Sequence, residues 1–435
     1  MPTKPEVQGS AAGPAHGDPI MSLRDVEVHY QLRGGTFARL FGLDTGTVKA
    51  VDGVSVELRK GEVLGLVGES GSGKTTLGRA LLGLVAATKG TIEYDGQDLG
   101  SLSDGKLRAL RRDLQMVFQD PHAALNPSMD IETAVGHPLR IHGLASKDDL
   151  RQRVADALDR VGLTPPERFL TKYPSDLSGG QKQRAVLARA IILDPVLLVA
   201  DEPVSALDMS VRAKILQLML DLKTELDLTY VYITHDLASA KFFCDRVAIM
   251  YLGRIVEIGS TEEIFADPKH PYTKSLLQAI PEPDPDRSLP RDLPRGEIPD
   301  AASPPLGCSF HPRCPAAFDM CGWESRDLKT LIEGHWLRRG EDAFDGEQNT
   351  VRSLDELDEP SHQALLRAGR GSSGAAVEQL LREARADDPD EPLWRGVREQ
   401  RTGTDGVEVD FYEGEDPGLR PAGGVDVACH LYPPR

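Results

Sequence analysis

The chain has 435 residues, a formal net charge of −18, and 40% hydrophobic and 27% charged residues, the profile of a globular protein with one large domain and a smaller second one. So acidic a balance excludes a general affinity for nucleic acid, whose phosphates select basic surfaces. No apolar run approaches the roughly 18 residues that a membrane-spanning helix requires.

Residues 1–20, MPTKPEVQGSAAGPAHGDPI, lack the apolar centre of a signal peptide and read as a disordered tail. The chain is therefore expected to stay in the cytoplasm, where disulfides are rare. The segments VEVHYQLRGG and VKAVDGVSVELRKGE, separated by the insertion ending at Gly46, alternate as antiparallel hairpins do and predict a small β-subdomain. Short apolar runs then alternate with helical patterns: VLGLV (63–67), TTLGRALLGL (75–84), QKQRAVLARAII (181–192), VLLVA (196–200), YVYIT (230–234) and DLASAKFF (236–243). This alternation over residues 21–262 predicts α/β architecture with a largely parallel sheet.

The composition changes after about residue 280, where PEPDPDRSLPRDLPRGEIPDAASPPLG is too rich in proline for long helices. Residues 325–424 form an acidic tract with DELDEP, ADDPDEP and EGEDPG and one helical pattern, AAVEQLLREARA (375–386). Its composition predicts a solvated, partly disordered insertion.

The stretch GESGSGKTT (68–76) fits G-x-x-x-x-G-K-[ST] and lies between a strand and a helix, as that motif demands. Gly68, Gly71 and Gly73 let the backbone curl around Ser70, so that N–H groups as far as Thr76 face phosphates at a helix N-terminus. Lys74 can bridge the β- and γ-phosphates of ATP, and the Thr75 hydroxyl can ligate Mg²⁺. VLLVADEP (196–203) ends an apolar strand in two carboxylates: Asp201 is placed to hold Mg²⁺, and Glu202 to polarise an attacking water.

Further stretches carry a family resemblance. LSGGQ (177–181), Gln119 in MVFQDP, SALD (205–208) and His235 in YITHD resemble the signature, Q-loop, D-loop and switch histidine of the ATP-binding cassette (ABC) family, in the family's order. The resemblance implies a P-loop NTPase nucleotide-binding domain over 21–262, with a RecA-like core, an antiparallel β-subdomain and a helical subdomain. It implies a composite site, in which Ser178, Gly179, Gly180 and Gln181 close over the γ-phosphate held by a second cassette, with Asp208 in the D-loop. It gives Gln119 to Mg²⁺ and to catalysis, His235 to the γ-phosphate and attacking water, and Tyr30 to stacking on adenine.

Finer likenesses are VKAVDGVSVEL, FQDPHAALNP, DEPVSALDMS, MYLGRIVEIG and HPYTKSLLQAIP, which resemble ATPase subunits of oligopeptide/dipeptide permeases. DEPVSALD and the terminal VACHLY resemble the second, F-type subunit of the pair. The resemblance implies a second ATP-binding subunit, two transmembrane permease subunits, an extracytoplasmic substrate-binding protein and no nucleic acid. It places the chain peripherally, at the cytoplasmic face of the membrane. Uptake of nickel, oligosaccharide or another solute is the alternative within this class, and a soluble cassette ATPase without a membrane partner is the rival outside it.

Three of the five cysteines lie in LGCSFHPRCPAAFDMCGWE (306–324), with five and then six residues between them. Four thiolates can ligate a [4Fe–4S] cluster or zinc, and these spacings are looser than those of zinc ribbons. The family resemblance assigns Cys308, Cys314, Cys321 and Cys429 to an iron–sulfur cluster, with Zn²⁺ as the alternative, in a C-terminal region made of 263–324 and 425–435. Cys244, flanked by apolar residues, reads as a core cysteine.

Overall fold

In the computed structural model, residues 19–32, 46–279, 295–339, 344 and 347–432 are described. The expected tail over 1–18, most of the early insertion and the proline run 280–294 lie outside them. Pro19 and Ile20, expected in the tail, already belong to the first strand, because Ile20 packs with the apolar residues beneath the small sheet.

β1 (Pro19–Gln31) and β2 (Thr47–Arg59) pair antiparallel, with Leu23 opposite Val56 and Val28 opposite Val51. Together with β4 (Lys89–Tyr94) and β5 (Gln97–Asp98) they form a sheet in the order β2-β1-β4-β5. Val26, Val28, Val51 and Val54 are buried from this sheet against the helix Lys74–Leu81 and the main sheet, as the alternating pattern requires.

The main sheet contains β3 (Val63–Val67), β6 (Leu114–Val117), β7 (Leu197–Asp201), β8 (Thr229–Thr234), β9 (Arg246–Tyr251) and β10 (Arg254–Ser260). β9, β3, β8, β7 and β6 run parallel in that order. β3, β7 and β8 are buried along their whole length, which explains why they read as unbroken apolar runs: helices cover one face, and the helix Lys74–Leu81 with the small sheet covers the other. Helices Ile131–Ile141, Lys147–Arg160 and Gly179–Ile191 pack together beside this sheet. Asp130 and Ser146 cap the first two by accepting from Thr133 N and Asp149 N.

Residues 325–424 differ from the expectation of partial disorder. Their described part folds as helix Ser325–Arg339, β11 (Gln363–Arg367), helix Gly374–Asp387, helix Leu393–Gly396, β12 (Val397–Thr402) and β13 (Gly406–Phe411), with strand order β11-β13-β12. Leu328, Ile332, Leu366, Val377, Leu380, Leu381, Val409 and Phe411 are buried together. The acidic groups sit around that core and pair with arginines: Arg339 meets Glu347, Glu383 and Asp387, and Arg401 meets Glu408 and Asp410. After this module, β14 (Arg420–Ala422) and β15 (Val425–Val427) join the edge of the main sheet, Val427 opposite Glu257 of β10.

Candidate nucleotide-binding site

β3 delivers the chain to Gly68, and the loop turns at Gly73 into the helix Lys74–Leu81. Gly73 has φ of 97°, and a Cβ there would lie 2.0 Å from the Ala50 carbonyl oxygen, so β2 approaches too closely for any side chain. Lys74 is buried, and its Nζ donates to the carbonyls of Gly68 (2.8 Å) and Glu69 (2.7 Å) and to Ser72 Oγ (3.3 Å). Burial pulls its pKa below the ordinary lysine value, against the opposing pull of Glu202, Asp201 and Glu69.

Thr75 Oγ1 donates to Asp201 Oδ1 over 3.0 Å, which joins the loop to the C-terminal end of β7. Burial raises the Asp201 pKa; the Thr75 hydrogen bond works against that rise and the Glu202 charge adds to it. Such a part-buried hydroxyl–carboxylate pair is the donor set that suits a small hard cation.

Glu202 lies in the left-handed region at φ 45°, a conformation that costs a non-glycine residue about 1 kcal/mol or more. Its backbone N–H is fixed by the Ile233 carbonyl of β8, at 2.9 Å. Both carboxylate oxygens are engaged: Oε2 accepts from Gln119 Nε2 at 3.0 Å, and Oε1 lies 3.0 Å from His235 Nδ1. The loop after β6, the turn after β7 and the turn after β8 thus meet at one carboxylate, with Asp201 and Thr75 beside it.

The signature stands apart. Ser178 caps the helix Gly179–Ile191: its Oγ accepts from Gln181 N at 3.4 Å, while Gln181 Oε1 accepts from Ser178 N at 3.0 Å. This capping box presents the helix N-terminus at Gly179 and Gly180. Among the described residues, no hydrogen bond or ion pair joins residues 177–181 to the chain's own loop 68–76. Asp208 precedes the helix Met209–Leu226 and its carbonyl accepts from Arg212 N. Tyr30 is exposed at the end of β1, opposite Val48 and two residues along β2 from the Ala50 that touches Gly73.

Two contacts to the phosphate loop were not read from sequence. Glu69 N donates to Tyr272 Oη at 3.0 Å, and the Glu69 carboxylate pairs with Arg313. Both partners come from beyond residue 262, and periodicity carries no signal for contacts so distant.

The cysteines of the tail converge. Cys308, Cys314, Cys321 and Cys429 are all buried free thiols lining one small cavity with Phe310, His311 and His430. Cys308 N donates to Cys321 O at 2.9 Å, and a Cβ on Gly307 would come within 2.5 Å of that same carbonyl, so glycine permits the approach. Burial drives the Cys308 thiol well above its ordinary range, Cys314 to about 12 and Cys321 to about 11, with the neighbouring cysteines adding to each. Cys244 is buried in the core as expected, its Sγ against Gly65 of β3.

Near Gln119 an apolar groove is lined by Leu82, Leu84, Phe118, Ala124 and Pro138, with Leu84 and Phe118 exposed. Among the described residues, no helix is long and apolar enough to cross a membrane.

A phosphate loop on β3, carboxylates ending β7 and a detached capped signature helix together define an ATP-hydrolysing cassette of the ABC type. Comparisons with known proteins agree. The ABC transporter model matches residues 51–205, and the model for the oligopeptide/dipeptide transporter C-terminal region matches 256–321. A Brucella ovis relative is 46% identical over 318 residues, covering 73% of this chain and 96% of its own length. The oligopeptide transport ATP-binding protein OppF of Salmonella typhimurium is 44% identical over 318 residues (72% and 93%). AppF of Bacillus subtilis, another oligopeptide transport ATP-binding protein, is 43% identical over 326 residues (74% and 97%). The chain belongs to the ABC transporter family, in its oligopeptide/dipeptide branch of ATP-binding subunits.

Proposed function

We propose that this chain hydrolyses ATP to drive import of oligopeptides through separate membrane subunits. The observation that carries the reading is the engagement of Glu202 by Gln119 and His235 at once, since Gln119 directly follows Phe118, which lines the exposed apolar groove. A change at the nucleotide can therefore be passed to whatever occupies that groove, which we assign to the membrane subunits.

ATP lies with its phosphates in loop 68–76, and Lys74 exchanges its carbonyl partners for β- and γ-phosphate oxygens. Thr75, Asp201 and Gln119 are the residues that would hold Mg²⁺, which supplies charge neutralisation between the phosphates. Glu202 takes a proton from the water attacking the γ-phosphorus, and the bond from that phosphorus to the β–γ bridging oxygen breaks, giving ADP and phosphate. His235 holds the γ-phosphate and orients Glu202, and Tyr30 stacks on adenine. Ser178, Gly179, Gly180 and Gln181 serve the loop of a second cassette, with Asp208 at the seam between the two.

We read Cys308, Cys314, Cys321 and Cys429 as ligands of a [4Fe–4S] cluster, whose iron–thiolate bonds would tie the loop 308–321 to the C-terminal segment. Four free, buried thiols around one cavity suit a metal that stabilises thiolates against burial.

The test is co-purification followed by uptake. The tagged chain should bring down two membrane proteins and a second ATPase, and vesicles holding that complex should accumulate labelled oligopeptide when ATP and the cognate binding protein are supplied. Recovery as a lone soluble ATPase, or uptake of nickel or oligosaccharide in place of peptide, would contradict it.

A further inference from the structure

The phosphate loop carries a liability of its own. Glu69 places a carboxylate beside Gly68 in a loop built to receive a polyanion, and like charges a few ångströms apart disfavour each other strongly. The structure accounts for where that charge goes. Arg313 meets it with a two-pronged fork, Nη1 to Oε2 at 2.8 Å and Nη2 to Oε1 at 3.1 Å. The Glu69 backbone is held from the same side, its N–H donating to Tyr272 Oη.

Arg313 is itself immobilised. Its side chain is 8% exposed against 30% for Glu69. Its Nε donates to Arg295 O at 3.3 Å, and its guanidinium lies 5.8 Å from the Tyr251 ring and 6.0 Å from that of Phe310. Tyr251 and Phe310 pack edge to face and Tyr272 meets both rings at a tilt, with centroids 4.8–5.3 Å apart, making an aromatic seat. The Glu69 carbonyl is also one of the partners of Lys74 Nζ, so any shift of Glu69 reaches the phosphate-binding lysine directly.

We propose that Arg313 is a positioning residue for the ATPase reaction: it turns the carboxylate of the phosphate loop towards the tail and neutralises it, so that the loop accepts MgATP. Arg313 acts through Glu69, whose carboxylate it holds. The tail is then part of the nucleotide site, because residues 51–205 hold the carboxylate while residue 313 holds the cation that cancels it.

The test is steady-state ATPase kinetics and MgATP binding on the full-length chain bearing Arg313→Ala, Arg313→Lys, Glu69→Gln or Arg313→Ala with Glu69→Gln. Arg313→Ala should raise KM and Kd for MgATP about tenfold and leave kcat within about twofold. Adding Glu69→Gln should bring both back to within about threefold of the parent, and Arg313→Lys should fall between. A loosened tail alone would not be repaired by neutralising Glu69. The proposal is overturned by parental KM in Arg313→Ala, by a loss confined to kcat, or by a double variant as impaired as the single one. Should Arg313→Ala not fold, Glu69→Gln alone decides: KM unchanged or lower supports the proposal, and a tenfold rise overturns it.

Discussion

His235 Nδ1 stands 3.0 Å from Glu202 Oε1, joining the turn after β8 to the turn after β7 across 33 residues. A carboxylate can accept this contact only if the imidazole carries a proton on Nδ1. In the proposed mechanism the histidine therefore orients Glu202 through Nδ1 and leaves Nε2 for the γ-phosphate. His235→Ala should lower kcat by about 10- to 100-fold with a smaller change in KM, read by phosphate release. Parental kcat would remove His235 from this role.

Lys74 gives the site a pH signature. Burial depresses its pKa below 10.5, so in the free chain the ammonium is lost at lower pH than in an exposed lysine. The charged form binds phosphate, and kcat/KM reports the free chain. The alkaline limb of kcat/KM should thus fall below pH 10.5, and Lys74→Arg, which stays charged, should flatten that limb while lowering activity. A plateau extending past the ordinary lysine value would contradict it.

The cysteine reading is a matter of composition and colour. Anaerobically purified chain should be brown, with iron and sulfide each near four per chain. Cys429→Ser should lose most of both, although this residue lies 108 positions beyond Cys321 in the sequence. Colourless protein containing zinc would reject the cluster.

The acidic module is expected to be separable. A Cβ on Gly414 would lie 2.3 Å from Gly322 Cα, so the module leaves and re-enters the tail at nearly one point. Excising residues 325–413 and joining the ends should leave ATPase activity within about threefold and lower the melting temperature, because Trp323 loses its cover against Gly396. Loss of nucleotide binding on excision would give the module a part in the site.

Much of the cassette is legible in sequence because its signals are local. β3, β7 and β8 read as apolar runs since both faces are covered, and the loop, signature and switch stretches each carry their chemistry within a few residues. The acidic module is not legible in the sequence because composition reports its surface, whereas its fold depends on well-spaced apolar residues such as Leu328, Ile332, Val377 and Leu381. β14 and β15, three residues each, are too short for a pattern and exist through pairing with β10. The strained φ of Glu202 and the Arg313–Glu69 pair, 244 residues apart, arise only from tertiary packing.

The most direct test of the ATPase assignment is Glu202→Gln, measured by MgATP binding and phosphate release on the same preparation. The amide keeps the shape and the contact to His235 but cannot take the water's proton. MgATP affinity within about threefold of the parent, with turnover lowered at least about 100-fold, is the expected result. Turnover near that of the parent would show that the proton goes elsewhere and that Glu202 is not the base.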